Sequence, residues 1–300
     1  MTRSTSQRVL FLAAAVAACG PCWACGAPAS VAWSLPPRPD GAWAVPQVAV
    51  RARGCTRFRA TSLRLIPRAH GGEGDKSSVR EPQLEVVQRV LREPALRSTA
   101  GLMAASGALL GPNLDNFHSS FGVLTYANPI RLEVAERVLL TTDWWVPPLF
   151  AVAGLGMGVL YILFDELLRT PPMERSPTWP KVFTAISVFA FQYYASGWLT
   201  AAGVPRAPLT LALAALAAGG FTLLDATAAG LCVSLATAAL GPAIEIFLVN
   251  ALHLYRYNGA DLWGVESWIP AVYFLGGPAV GALARALYNS ALSRAGGEDG

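Results

Sequence analysis

An all-α fold, a polytopic bundle of six transmembrane helices behind a disordered N-terminal targeting tail, is the class this sequence predicts, and three observations predict it. Hydrophobic residues make up 53% of the 300 positions and charged residues only 14%, where a soluble domain carries about a quarter charged. Six uncharged runs follow one another from residue 98 onward. Two of them open on tryptophan and proline, which mark the membrane boundary and the first turn of a helix.

Residues 1–75 form a targeting region. MTRSTSQRVLFLAAAVAACGPCWACGAPAS has basic Arg3 and Arg8, an apolar core from Val9 to Ala18 and small residues after it. That is a signal-peptide pattern, and its core is too short to cross a bilayer. From Gly26 to Gly72 there are seven arginines against one acid, Asp40. Such Arg-rich, acid-poor sequence has the composition of an organelle transit peptide, or else of a basic tail that touches anionic lipid. A signal followed by a transit-like segment is the order a complex plastid requires. Cys19, Cys22, Cys25 and Cys55 lie here, and only Cys232 lies in the body, so no disulfide framework is expected there. The C-x-x-C runs close an apolar leader instead of opening a helix after a strand, which favours a targeting segment over a redox or zinc site.

Residues 76–142 hold two amphipathic stretches and the first span. PQLEVVQRVLREPALR places Leu84, Val87 and Leu91 on one helical face and stops near Pro94. Ser98–Leu114 is the shortest span and ends on Gly111, Pro112 and Asn113. PIRLEVAERVLL, residues 129–140, reads as a second surface helix. The arginines before the first span and the acidic link after it put the N-terminal end of the body on the cytoplasmic or stromal side. Re-import into a plastid, or an uncleaved leader, reconciles that with a signal peptide.

Residues 143–288 carry spans two to six: Trp144–Phe164, Val182–Pro205, Ala207–Leu224, Ala226–Ile244 and Ser267–Ala284. Uncharged runs of this length are transmembrane candidates, because in hydrocarbon only a helix satisfies its own backbone groups. Span two opens on Trp144, Trp145, Pro147 and Pro148 and ends at Asp165 and Glu166; Gly154 and Gly158 allow a helix or a lipid to approach its backbone. Span six repeats the plan with Trp268, Pro270, Gly277, Gly281 and Arg285. Residues 289–300 are a polar tail.

Functional groups in such a chain are the polar ones inside spans. Gln192 lies in the middle of span three, and Glu245 follows Gly241 and Pro242 in span five. Glu245 serves either as a hydrogen-bonded contact between helices or as a ligand or proton site. Asp225, between spans four and five, is a turn residue or helix cap unless it meets a partner. Asp115 and His118 are three apart and read as a cap at the membrane surface. No Ser–His–Asp set, metal-spaced cluster or phosphate loop appears in the body, so no catalytic residue, cofactor or metal is expected. The arginines form no stripe for nucleic acid.

TDWWVPPLFAVAGLGMGVLY, TLALAALAAGGFTLLD, YNGADLWGVESWIP and YFLGGPAVGALARAL occur in an order and spacing that resemble the insulin-induced gene (INSIG) proteins. The resemblance implies a non-catalytic six-helix protein of the endoplasmic reticulum. Animal members bind oxysterol between helices and hold sterol-sensing-domain proteins, while prokaryotic relatives bind a diacylglycerol-like lipid. It also implies that Phe189 lines the lipid pocket and that Asp225 is needed for partner binding. The family's sterol-contacting glutamine is Pro208 here, its histidine before Ala-Ser is Tyr194, and the polar run after the aspartate is ATAAG. These departures remove polar groups that the resemblance ties to oxysterol and to the animal partners. The expected ligand site is Phe189, Gln192, Tyr194, Gly154 and Gly158, with Asp225 facing a partner. The alternatives are a small-solute or proton transporter using Glu245, or a plastid membrane protein of lipid metabolism.

Overall fold

The computed structural model describes residues 82–295, so the signal, transit and C-x-x-C expectations lie outside the described residues. Within them the chain forms seven helices: α1 (Gln83–Arg92), α2 (Pro94–Ser120), α3 (Val146–Leu167), α4 (Trp179–Ala201), α5 (Arg206–Leu224), α6 (Ala228–Asn250) and α7 (Ile269–Ala295). Six of them, α2 to α7, cross the bundle. α3, α5, α6 and α7 are long and apolar enough to span a bilayer by composition alone; α2 and α4, of 27 and 23 residues, are as long but more polar.

Helix α7 is the axle. It packs against α2, α3, α4, α5 and α6, and two thirds of its apolar window is buried, against about a fifth in the other three apolar helices. Small residues make that possible. Gly276 lies under the ring of Phe189, where an added Cβ would come within 3.0 Å of Cζ. Gly281 lies under Tyr161 and Gly241 of α6 lies under Tyr273. Lipid tails are as apolar as the helices, so close van der Waals contact of this kind, not exclusion of water, drives association.

Helix α2 differs from its sequence reading. It runs to Ser120, through Pro112, instead of stopping at Leu114. A proline inside a helix removes one hydrogen bond, and the Asn113 amide donates to Leu109 O at 2.7 Å one turn back. Gly111 beside it accommodates the Phe150 side chain of α3. α1 stops where expected, but Val90 and Val86 turn inward while Leu84 and Leu91 face out. α7 continues to Ala295, so the first seven residues of the expected polar tail are helical.

The segment expected as a second surface helix is a β-hairpin. β2 (Ile130–Val134) pairs antiparallel with β3 (Arg137–Thr142), with Val134 opposite Arg137. The two-residue turn has Ala135 at φ 49° and Glu136 at φ 63°, the left-handed pair that a tight hairpin turn requires. β-Branched and leucine residues alternate as readily along a strand as around a short helix, and α2 decides between the two. Asn116 donates to Leu139 O and accepts from Thr141 N, and Ser119 donates to Thr141 O. A second small sheet pairs β1 (Leu124–Tyr126) with β4 (Tyr255–Tyr257), tying the exit of α2 to the approach of α7.

The turn gives a direct check. Replacing Ala135–Glu136 by Asn–Gly is expected to raise stability by about 1 kcal/mol, because each non-glycine residue in the left-handed region costs about that much. The readout is the thermal midpoint in detergent. A helix at this site would instead lose about 1 kcal/mol to the interior glycine.

Candidate functional site

The polar residues of the bundle gather in three places. The most highly charged is at the end where α3 and α5 finish and α6 begins. Arg285 of α7 reaches Asp165 of α3 through two bonds, Nε to Oδ2 and Nη2 to Oδ1, both 2.7 Å. Its Nη1 donates to Asp225 Oδ1 at 2.9 Å, and Nη2 also reaches Thr227 Oγ1 at 3.0 Å. The Tyr161 hydroxyl donates to the other Asp225 oxygen at 2.9 Å, and the guanidinium lies 5.1 Å from the Tyr161 ring centroid. All three charged side chains are buried, with at most 4% exposed. A planar fork can hold one carboxylate through two bonds and still donate to a second.

Local sequence explains why Asp225 is there. The α5–α6 link is only Asp225, Ala226 and Thr227, and Ala226 takes φ 59°. Thr227, not Asp225, caps α6, with Oγ1 accepting from Gly230 N at 2.9 Å. Its hydroxyl donates to Asp225 Oδ1 at 2.7 Å. Gly230 carries no Cβ to collide with the Asp225 carboxylate. Asp225 is therefore not a solvated turn residue: its carboxylate is a buried ion partner.

The second place is around Gln192 in α4. Its amide donates to Leu213 O of α5 at 3.2 Å and to Ala271 O of α7 at 3.1 Å. The residue is fully buried, and its Oε1 has no hydrogen-bond partner among the described residues. Phe189, one turn before it, packs on Gly276 and edge-on to Tyr193 at 5.2 Å. The other expected ligand residues do not join them. Tyr194 points away, meeting Phe117 of α2 and Phe121 just after it and staying partly exposed. Gly154 and Gly158 face α2, where an added Cβ would come within 2.5 Å of Met103 O and 2.8 Å of Met103 Cγ. Their free backbone is filled by a helix, which corrects the expectation of a lipid there.

The third place lies at the opposite end from Arg285. Glu245 accepts from Tyr257 at 2.6 Å and from Tyr273. Asp115 accepts from Tyr126, and His118 pairs with Ser196 Oγ at 2.8 Å while stacking on Tyr193. Asp115 and His118 sit inside α2 with separate partners, so they are not a cap. Burial, and then the nearby carboxylates, push the Tyr126, Tyr255 and Tyr257 phenols well up, which keeps them protonated donors. At this end Arg206 also meets Glu266 Oε2 at 3.2 Å. Burial raises the Glu266 carboxyl above its usual range, and Arg206 opposes that. Among the described residues no three His, Cys, Asp or Glu side chains converge as a metal site would need.

Sequence reasoning missed the Asp165–Arg285 bond and the tyrosine donors. Both charges stood at the ends of apolar runs, where they read as terminators. The signal that could have found them is a balance of charge: one arginine and two aspartates at the same membrane depth, with few other charges nearby.

Six membrane-length helices, five of them packed around the glycine-rich α7, define an integral membrane protein. A family model described as Insulin-induced protein (INSIG) matches residues 99–288. The chain belongs to the INSIG family. The insulin-induced gene 1 protein of Cricetulus griseus is 33% identical over 213 residues, covering 65% of this chain and 80% of that one. The human protein of the same name is 34% identical over 155 residues, covering 52% and 54%. Among solved structures, the mycobacterial Insig homolog MvINS from Mycobacterium vanbaalenii shares the fold, with a TM-score of 0.53 and 22% identity over 63% of this chain and 94% of that one.

Breaking the ion cluster has a definite cost. Arg285→Met leaves two buried carboxylates without a cation and is expected to destabilise the bundle by about 3–5 kcal/mol. Asp225→Asn keeps Asp165 on the guanidinium and should cost less. Melting midpoints of the two variants in the same detergent check the order; equal, small losses would contradict a buried, coupled cluster.

Proposed function

We propose that this chain is a non-catalytic scaffold of the endoplasmic reticulum membrane that holds another membrane protein and responds to a hydroxyl-bearing lipid, a diacylglycerol or a sterol. The observation that carries it is Gln192. A buried acceptor without a partner is costly in a low-dielectric interior, and a lipid hydroxyl arriving between α4, α5 and α7 supplies the missing donor. Phe189 gives that lipid an aromatic wall. Span four offers no such acceptor, because Pro208 stands where the family's glutamine does, so Gln192 is the polar contact in this chain.

The partner surface follows from the same two helices. Gln192 binds carbonyls of α5 and α7, and the far ends of α5 and α7 are joined through Asp225 and Arg285. A lipid that draws the Gln192 amide away changes how α5 sits on α7, and so shifts the short α5–α6 link, where Ala226 and Ala228 are exposed. It biases partner binding only by favouring one arrangement over the other. In this reading Asp225 is a positioning residue, with its carboxylate turned inward from the surface it shapes.

Native mass spectrometry of the purified chain in nanodiscs, loaded in turn with diacylglycerol and a hydroxysterol, tests this. One lipid is expected to stay bound, and folded Gln192→Leu, compared at equal protein concentration, to retain it roughly tenfold more weakly. Retention of neither lipid by the unaltered chain would end the proposal.

A further inference from the structure

We infer that the chain carries a second lipid site, separate from the bundle interior: a recess under the β2–β3 hairpin that binds the sugar headgroup of a glycolipid from the leaflet at which α2 ends and α3 begins. The recess encloses about 380 Å³ and is lined by Ser119, Ser120, Thr125, Tyr126, Arg131 and Thr141, with Leu124, Pro129 and Val138. No carboxylate lines it, and Arg131 makes no ion pair among the described residues.

The hydrogen bonds select the ligand class. Each hydroxyl hydrogen of Ser119, Ser120 and Tyr126 already points at a protein acceptor: Thr141 O, Asn116 Oδ1 and Asp115 Oδ2 respectively. Thr125 is engaged with the Asn258 amide in the same way. What these oxygens have left is lone pairs. A phosphate, which only accepts, would find two donor groups, the Arg131 guanidinium and the Thr141 hydroxyl, among acceptors, at the carbonyl end of α2, where the helix dipole disfavours an anion. A polyol fits better. Its hydroxyls donate to the serine and threonine oxygens, and its own oxygens accept from the guanidinium.

The rim argues for a lipid over a free sugar. Ile130, Leu132, Val134, Val138 and Leu139 are each half exposed, and Trp144, directly after β3, is 71% exposed. In an aqueous loop that apolar surface would be a liability. At the boundary that Trp144 marks, it lies along the acyl chains while the recess holds the head.

The whole chain, reconstituted in phosphatidylcholine nanodiscs, is to be supplied in separate samples with a monohexosyl diacylglycerol, the same diacylglycerol without sugar, and phosphatidate; retained lipid is counted by native mass spectrometry. Methyl hexoside is titrated into the detergent-solubilised protein. The expected result is preferential retention of the monohexosyl lipid, reduced roughly tenfold by Arg131→Ala, with diacylglycerol retention unchanged in that variant. Arg131 is exposed, so its loss leaves folding intact. Equal retention of the sugar-bearing and sugar-free lipids would overturn the site. So would a preference for phosphatidate, methyl hexoside binding as tightly as the lipid, or an unaltered preference in Arg131→Ala. Diacylglycerol retention in the same samples reports separately on the interior site at Gln192.

Discussion

One guanidinium held out of water fixes α7 against α3 and the α5–α6 link. Arg285 is carried to the depth of Asp165 and Asp225 by the helix that touches all its neighbours. Charges at such depth are tolerated only when paired and fully hydrogen-bonded. Arg285 meets that condition by drawing on α3, on the α5–α6 link and on Thr227 at once. The requirement is geometric, since a fork with fixed donors accepts only one arrangement of the three backbones. α7 consequently has both glycine contacts to bring it close and an ion cluster to fix its register.

At the opposite end tyrosine hydroxyls, not cations, satisfy the carboxylates. Glu245 is held by Tyr257 and Tyr273, and Asp115 by Tyr126, with the β1–β4 pair bringing Tyr126 and Tyr257 in from the loops. A glutamate three residues after a proline reads in sequence as an interhelical contact or a proton site, and in the structure it is held between the Tyr257 and Tyr273 phenols. Between the two ends Gln192 reaches across helices, and it does so with one acceptor to spare among the described residues. The proposed lipid response rests on the middle of the bundle, and the proposed partner contact on the Arg285 end.

Much of this was legible in the sequence, for a physical reason. A bilayer demands long uncharged runs, and those runs leave six spans little freedom. Trp144 and the following prolines start α3 where expected, and Arg285 lies in the last span. What could not be read is whatever depends on a neighbour. Pro112 looks like a helix end until Asn113 and Phe150 are placed around it. IRLEVAERVLL looks amphipathic until Asn116 grips its second half as a strand. Asp165 and Asp225, sixty residues apart, become partners only through Arg285. The glycines of α3 show in sequence that something comes close, but only the packing of Met103 identifies it as a helix.

The central claim is that Gln192 and Asp225 act on one movable contact, α5 against α7. Hydrogen–deuterium exchange of the purified chain, with and without diacylglycerol in the nanodisc, tests it most directly. The account requires lipid to change exchange around residues 220–230 as well as near Gln192, and Arg285→Met to abolish the distant change. Protection confined to the surroundings of Gln192, with the α5–α6 link indifferent to lipid, would contradict it.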